Sequence, residues 1–238
     1  MRKEPFDVGS FIHIYNRGNR KQPIVRDTKD RLRFILMLRY FNDEYSPPYI
    51  FRAWQKSDFY KQLAWPTEWP SHKPIVKIPA FSLLENHFHL LLKEIREGGT
   101  TMFMRKIGTG MTNYFNAKYK EVGRLFQGAY KAKTIKEDLY LQYVSVYIQV
   151  KNIFEFYPGG VKKALNEFDK AFKFSVEYPY GSLESYATTK VSPLIDKDIL
   201  EELFPTPKSY KRFTRDSLIG TNFDKLIGDL AIEKTEDL

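Results

Sequence analysis

Apolar and polar positions alternate or repeat along the first two thirds of the chain, and their spacing predicts strands and helices in turn. The strands are predicted over residues 9–16, 75–84, 87–94 and 125–135, and the helices over 28–42, 100–120 and 137–155. Thr28 and either Thr100 or Thr101 are predicted to cap the first two helices. This order of elements predicts an α+β protein, an antiparallel sheet with helices on one face.

Two segments fit this pattern less well. Residues 43–74 are irregular and rich in Pro and Trp, and a further strand near 49–54 is an alternative there. A Tyr-Pro-Gly-Gly sequence then predicts a boundary near 156–160. Two parts are expected, a catalytic domain over 1–156 and a helical C-terminal extension over 157–238 that carries no catalytic motif. Short helices are predicted in the extension over residues 161–175, 196–203, 207–218 and 222–231.

Charge and composition limit the kind of molecule that this protein is expected to bind. The formal net charge is +9 and aromatic residues make up 16% of the 238 residues, which favours a polyanion, either nucleic acid or an anionic membrane surface. The chain has no cysteine, which excludes thiolate metal sites and a Cys nucleophile and suits a reducing cytoplasm. Neither an apolar run of about 20 residues nor a secretory leader is found, so a cytoplasmic protein is expected.

The triplet His87-Phe88-His89 is the first candidate for chemistry. On a strand, residues two apart point to the same face, so both imidazoles project together while Phe88 faces the core. Two imidazoles can hold one divalent metal ion with a third ligand and open positions, as a Lewis-acid site requires. The alternative is that both rings meet solvent or hydrogen-bond partners. Of the other histidines, His13 is a candidate for a structural role and His72 for a loop residue.

The string ENHFHLLLK resembles the His-hydrophobe-His motif of single-tyrosine HUH transposases, and most closely that of the REP-associated tyrosine transposases. Three other segments resemble that family in the same order, over roughly residues 9–156. They are FIHIYNRGNRKQPIVRDTKDRLRF, YFNAKYKEVGRLFQGAYKAKTI and LYLQYVSVYIQVKN.

The resemblance implies a ferredoxin-like domain that cuts and rejoins single-stranded DNA, often near a hairpin or inverted repeat. It implies Mg²⁺ or Mn²⁺ held by His87, His89 and a polar side chain from the helix that bears the tyrosine. By family position Tyr147 is the nucleophile and forms a 5′-phosphotyrosine. Tyr140 and Tyr143 are competitors, and the alternative for Tyr147 is packing in the core.

Two positions depart from the family pattern, Glu85 and Lys151. The turn before the triplet is Glu85-Asn86, where a Pro-Asn pair is commoner; Glu85 is expected to form the turn, with a ligand role as the alternative. Family members often carry Gln or Asn four residues after the tyrosine, where this chain has Lys151. A charged ammonium has no lone pair to give a metal ion. Asn152 or Gln149 is expected to supply the ligand if the helix is rotated or locally bulged. Lys151 is then a candidate for a phosphate contact.

Cations and aromatic rings are interleaved between Met102 and Lys136, where eight residues are basic and one is acidic. Such a surface neutralises phosphates and stacks on unpaired bases, although about half of these residues are expected to be ordinary solvated positions. The nucleic-acid contacts expected from this stretch, from the first turn and from the tyrosine helix are Arg17, Asn19, Arg20, Lys21, Arg105, Lys106, Lys118, Lys120, Arg124, Lys131, Lys133 and Lys151.

Three functions remain open at this stage. The leading hypothesis is a metal-dependent DNA transesterase, cytoplasmic and nucleoid-associated in a bacterial cell, active as a monomer or homodimer. The second is a cleavage-deficient regulator on the same fold that binds a DNA or RNA hairpin. The third is a phosphodiesterase that uses water instead of tyrosine.

Overall fold

The structure is a computed structural model and describes residues 6–45, 63–220 and 223–228. The strand considered near 49–54 lies outside these residues. The sheet is antiparallel with the strand order β2-β3-β1-β4. Its four strands are β1 (Phe11–Arg17), β2 (Val76–Leu83), β3 (His87–Glu94) and β4 (Lys131–Ile135).

The helices follow the predicted order. In the first part of the chain they are α1 (Thr28–Tyr40), α2 (Gly99–Tyr119), α3 (Asp138–Val146), a π-helical segment (Tyr147–Lys151) and α4 (Asn152–Phe154), with a short 3-10 turn at Asn19–Lys21. In the extension they are α5 (Gly160–Asn166), α6 (Phe168–Val176), α7 (Glu184–Ala187), α8 (Ile199–Leu203), α9 (Pro207–Gly220) and α10 (Phe223–Ile227).

The α+β prediction is confirmed. The order β1-α1-β2-β3-α2-β4 with this sheet order is the ferredoxin-like arrangement. Helices α1 and α2 cover one face, where Phe34 and Phe103 pack among Ile12, Phe88 and Leu90 in a dry core.

The expectation that helices lie on one face only is wrong. Helix α3, the π segment and the extension cover the opposite face, in a second core that contains Leu91, Val150, Phe154, Phe168 and Tyr210. Because side chains alternate between the two faces along β1 and β3, apolar side chains also point to this side of the sheet. This face therefore also has to be buried.

The extension adds to the sheet as well as to its core. The backbone N–H of Leu83 donates to the Tyr180 carbonyl over 2.9 Å, and that of Ser182 to the Phe81 carbonyl over 3.1 Å. These bonds pair the outer edge of β2, which would otherwise present open donors and acceptors. The extension therefore completes a core that the first 156 residues leave half-covered.

Local predictions differ from the structure at four points. Asp27, not Thr28, caps α1, because its carboxylate accepts the Asp30 N–H in a capping box. Neither Thr100 nor Thr101 caps α2, whose Thr100 N–H is bonded by the Glu94 carboxylate over 2.8 Å. Strand β4 is shorter than predicted, and α7 was not predicted. No helix in the described part of the chain is long and apolar enough to span a membrane.

Candidate metal and nucleophile site

The two histidines of β3 lie on the face that α3 and the π segment cover. In the sheet, His89 is opposite Tyr15 and His87 is opposite Arg17, while Phe88 points into the other core. The ring centroids of His87 and His89 are 5.2 Å apart and the rings are nearly perpendicular. The prediction that both imidazoles share one face is confirmed.

Asn86 fixes the proton of His87. The Asn86 amide donates through Nδ2 to the Lys21 carbonyl over 3.1 Å, so its Oδ1 is the atom that lies 2.6 Å from His87 Nδ1. Because Oδ1 only accepts, Nδ1 of His87 carries the hydrogen and Nε2 keeps a lone pair. Burial and the neighbouring Arg17 lower the pKa of His87 to about 4, so the ring is neutral at physiological pH.

His89 is fully buried. Its Nδ1 lies 2.9 Å from Nε2 of His13, another fully buried imidazole. Its Nε2 is buried and has no hydrogen-bond partner among the described residues. Burial holds the pKa of His89 well below the usual range, and His13 and His87 lower it further. An unpaired buried nitrogen is costly, which makes it a candidate ligand atom.

Tyr147 lies directly over the histidines. Its ring centroid is 5.3 Å from that of His89 with the rings at 85°. A cavity of about 400 Å³ opens beside it. The described residues that line this cavity, called the Tyr147 cavity below, are Arg17, Lys21, Pro23, Glu85, Asn86, His87, Tyr147, Asn152, Glu155 and Phe156. His89, which is fully buried, is not among the residues that line this cavity.

The π segment decides which polar side chain faces this cavity. The backbone N–H of Asn152 donates to the carbonyl of Tyr147, five residues earlier, where an α-helix would bond four residues apart. The extra residue lets Asn152, not Lys151, follow Tyr147 onto the wall of the Tyr147 cavity. The Asn152 amide is buried, and its Nδ2 has no partner within the described part of the chain.

Gln149, the other predicted ligand, is bonded elsewhere. Its Nε2 donates to the Tyr210 hydroxyl over 2.9 Å, and its Oε1 accepts from the Ser182 hydroxyl over 2.7 Å. Both ends of the amide thus tie the π segment to the extension. The structure does not bring Gln149 to the Tyr147 cavity. Lys151 is half-buried and lies outside the set of lining residues.

The competing tyrosines point away from the cavity. Tyr143 packs against Phe213 and Phe223 of the extension, at ring distances of 5.3 and 6.1 Å. Tyr140 lies beside Lys133, whose ammonium is 5.6 Å from the ring centroid. Of the three tyrosines, the structure brings only Tyr147 to the histidine pair.

The potential metal donors in this region are imidazoles, one amide and two carboxylates of the cavity wall. Across residues 6–45, 63–220 and 223–228, no group of three or more His, Asp or Glu side chains is arranged to hold a metal ion. The potential donors around the Tyr147 cavity are the Nε2 atoms of His87 and His89, the Asn152 amide oxygen once it is turned inward, and the carboxylates of Glu85 and Glu155. The oxygen donors suit Mg²⁺ or Mn²⁺, and the two imidazoles favour Mn²⁺ of these two ions.

Four predicted cations lie close to the site. Arg17 and Lys21 line the Tyr147 cavity. Lys131 and Lys133 stand on β4 opposite Tyr15 and His13, and so on the same face of the sheet. The carboxylates of Glu85 and Glu155 line the same cavity as Arg17 and Lys21 and balance part of this positive charge.

The remaining predicted cations are spread over other surfaces. Arg105 and Arg124 line a groove of about 600 Å³ between α2 and the loop before β4, on the α1 and α2 side. Asn19, Arg20 and Arg124 line a smaller groove near the 3-10 turn. Lys120, exposed, ends α2 in a left-handed conformation.

Lys106 and Lys118 have structural partners instead. Lys106 donates to the Asp43 carbonyl over 2.7 Å. Lys118 pairs with Asp27 at 2.6 Å and with the fully buried Asp30 at 2.5 Å. Lys118 therefore neutralises the buried charge of Asp30 between α1 and α2 and is not an ordinary solvated cation.

Three features of the site are not among those predicted from the sequence: Asn86, Phe156 and the pairing of His13 with His89. The Asn86 position next to the triplet was a usable signal, because an adjacent amide can reach the imidazole. His13 and His89 are 76 residues apart, and strand register, which decides that they meet, is not visible in one sequence.

Comparisons with known proteins bear on the family that the chain resembles. Residues 59–151 match the family model described as "Transposase IS200 like". The match confirms the resemblance to single-tyrosine transposases over a segment that contains His87, His89 and Tyr147. No curated protein matches the chain significantly.

Among solved structures, the chain is similar to one described as the REP-associated tyrosine transposase bound to a REP hairpin. The identity is 11% and the TM-score 0.48, over 82% of this chain and 88% of that chain.

Proposed function

We propose that this protein is a metal-dependent transesterase of single-stranded DNA, transposase-like, with Tyr147 as its nucleophile. The observation that carries the proposal is the Tyr147 cavity, where a tyrosine, a neutral imidazole and a buried amide meet beside two cations. The match of residues 59–151 to IS200-like transposases supports it.

Each group of residues in the site has a separate role in the proposed reaction. His87, His89 and the Asn152 oxygen would hold Mg²⁺ or Mn²⁺, which when bound polarises the phosphate and stabilises the departing oxygen. Arg17 and Lys21 hold the phosphate in the Tyr147 cavity. Nε2 of His89 is covered, so one of the rings around it must turn aside for this ligand to be used.

The transfer itself is an exchange of phosphate esters. The Tyr147 oxygen forms a bond to phosphorus, the bond from phosphorus to the 3′ oxygen breaks, and the tyrosine proton passes to that oxygen. The products are a 5′-phosphotyrosine and a free 3′ hydroxyl. Because one ester replaces another, rejoining by the reverse step needs no energy source.

A covalent adduct tests the proposal. The full chain is incubated with Mn²⁺ and labelled single-stranded oligonucleotides with and without a hairpin, and the adduct is resolved under denaturing conditions. Wild type and Tyr143→Phe are expected to form the adduct, and Tyr147→Phe is not. An adduct that persists in Tyr147→Phe removes the assignment, and cleavage without an adduct indicates a water nucleophile.

The third ligand is tested by metal affinity. Asn152→Ala is expected to weaken Mn²⁺ binding about 10-fold or more in calorimetry, since it deletes a donor. Lys151→Ala is the matched control and is expected to leave Mn²⁺ affinity within about 2-fold. The opposite ranking would return the ligand position to residue 151.

The second candidate function is a cleavage-deficient regulator that binds a nucleic-acid hairpin. The observation in its favour is the full burial of His89, together with the lack among the described residues of three or more His, Asp or Glu side chains grouped to hold a metal ion. It predicts salt-sensitive hairpin binding without uptake of Mn²⁺. Metal-dependent formation of the adduct would eliminate it.

A further inference from the structure

Behind the candidate ligand His89 lies a second imidazole that the reaction does not use directly. His13, on β1, is fully buried, and its Nε2 lies 2.9 Å from Nδ1 of His89. The two rings are nearly parallel at 10° with centroids 5.1 Å apart. This distance is a hydrogen bond, so one hydrogen lies between the two nitrogens.

The position of that hydrogen decides whether His89 can bind a metal ion. If His13 donates from Nε2, then neutral His89 carries its own hydrogen on Nε2 and has no lone pair there. If His89 donates from Nδ1, its Nε2 is bare and free to coordinate. Only the second arrangement is compatible with a ligand role for His89.

We propose that His13 is a positioning residue, which accepts the Nδ1 hydrogen of His89 and so holds its Nε2 as a lone-pair donor. The inference rests on the proposed metal site. It gives His13 the role that Asn86 Oδ1 has toward His87, because each ligand ring then has a dedicated acceptor behind it. Outer acceptors of this kind orient ligand rings and commonly change metal affinity 10- to 100-fold.

Metal binding favours the same arrangement. His13 Nδ1 and His89 Nε2 are both buried without a partner among the residues that the structure describes. Each arrangement therefore leaves one buried N–H without an acceptor, on His13 Nδ1 in the proposed arrangement and on His89 Nε2 in the alternative. Only the proposed arrangement presents a bare His89 Nε2, which a metal ion would satisfy.

Nitrogen NMR of the metal-free protein shows directly which ring nitrogen of His89 carries the hydrogen. The chain has four histidines, so ¹⁵N-histidine labelling with single His→Gln variants assigns each ring. The expected result in wild type is a protonated Nδ1 and a bare Nε2 on His89. A protonated Nε2 on His89 would overturn the proposal, whether or not the protein cleaves DNA.

Two substitutions of His13 then test its effect on metal binding. His13→Gln keeps an acceptor oxygen and is expected to keep Mn²⁺ affinity within about 3-fold. His13→Phe removes it and is expected to lower Mn²⁺ affinity about 10- to 100-fold, with the hydrogen of His89 redistributed to Nε2.

Leu91→Ala is the matched control for packing, because Leu91 is buried opposite His13 on the same sheet face. It is expected to lower the melting temperature without moving the hydrogen on His89. Unchanged Mn²⁺ affinity and an unchanged His89 spectrum in His13→Phe would refute the role of His13. If wild type takes up no Mn²⁺ while its His89 spectrum is as expected, the proposed function fails and the hydrogen-bond assignment stands.

Discussion

The imidazole of His87 is kept neutral by its surroundings, and this ties the stability of the protein to pH. The pKa of His87 is about 4 in the folded protein, below the usual value of 6.5, mainly because of burial. Between these values the unfolded chain binds the proton more readily than the folded protein does. Stability is therefore full above about pH 6.5 and falls as the pH drops toward 4.

We expect the free energy of unfolding, measured with EDTA present, to fall by on the order of 2–3 kcal/mol from His87 alone over this range. His13, whose pKa burial lowers to about 3, adds to the same slope. His87→Gln is expected to flatten the curve. A slope unchanged in His87→Gln would show that other groups cause it.

Gly18 allows the first turn to close against the hairpin that carries the histidines. Its N–H donates to the Asn86 carbonyl over 2.7 Å. A Cβ at this position would lie 1.9 Å from the Gln22 carbonyl oxygen, so the turn would have to open. We expect Gly18→Ala to destabilise the protein by about 2 kcal/mol or more in thermal unfolding.

Gly128→Ala is the control for this substitution. A Cβ at Gly128 meets no atom within 4 Å, so we expect a change within about 0.5 kcal/mol. Equal effects at both glycines would contradict the steric reason given for Gly18.

Among the elements, the helix of Tyr147 contains the largest departure from its sequence pattern. Helical spacing correctly predicts a helix over 137–155, but a π segment interrupts it. The pattern of apolar positions cannot reveal this, since one added residue changes the direction of only a few side chains. Contacts with the extension, which are non-local, stabilise the irregular turn through Gln149.

Gln149 therefore has a structural role that can be separated from metal binding. We expect Gln149→Leu to lower the free energy of unfolding by about 1–3 kcal/mol, because the Ser182 and Tyr210 hydroxyls lose their shared partner. Mn²⁺ affinity, measured by calorimetry at a temperature where the variant is folded, is expected to remain within about 2-fold of wild type. A larger loss would restore Gln149 as a ligand.

At the scale of the whole molecule, some of the positively charged side chains form structural ion pairs and others are exposed to solvent. Lys118 lies against the buried Asp30, where it helps to lower the pKa of that carboxyl to about 2 against the opposing effect of burial. Lys131 is exposed on the edge strand beside the site. The two lysines are indistinguishable in composition and differ entirely in surroundings.

We expect Lys131→Ala to weaken binding of single-stranded DNA and to reduce its salt dependence by about one phosphate contact. Lys118→Ala is expected to destabilise the fold by about 2 kcal/mol or more, because it leaves a buried carboxylate without its cation. Affinity titrations at several salt concentrations and thermal unfolding separate the two effects. A stable Lys118→Ala variant with a reduced salt slope would reverse the assignment.

Pattern and resemblance together predict the sheet, its two crossover helices and the shared face of His87 and His89. They cannot predict the second core, because helices as short as α7 and α8 carry too few residues for a clear period. Nor can they predict the extension's pairing with β2, because this pairing joins residues about 100 positions apart in the sequence. Phe81 and Ser182 are an example.

In evolutionary terms, the π segment is equivalent to the insertion of one residue into a helix. A residue-by-residue alignment without a gap would set Lys151 against the Gln or Asn of relatives and suggest that the site is broken. The structure gives a different correspondence, because the π segment places the Asn152 amide, one residue later, on the wall of the Tyr147 cavity.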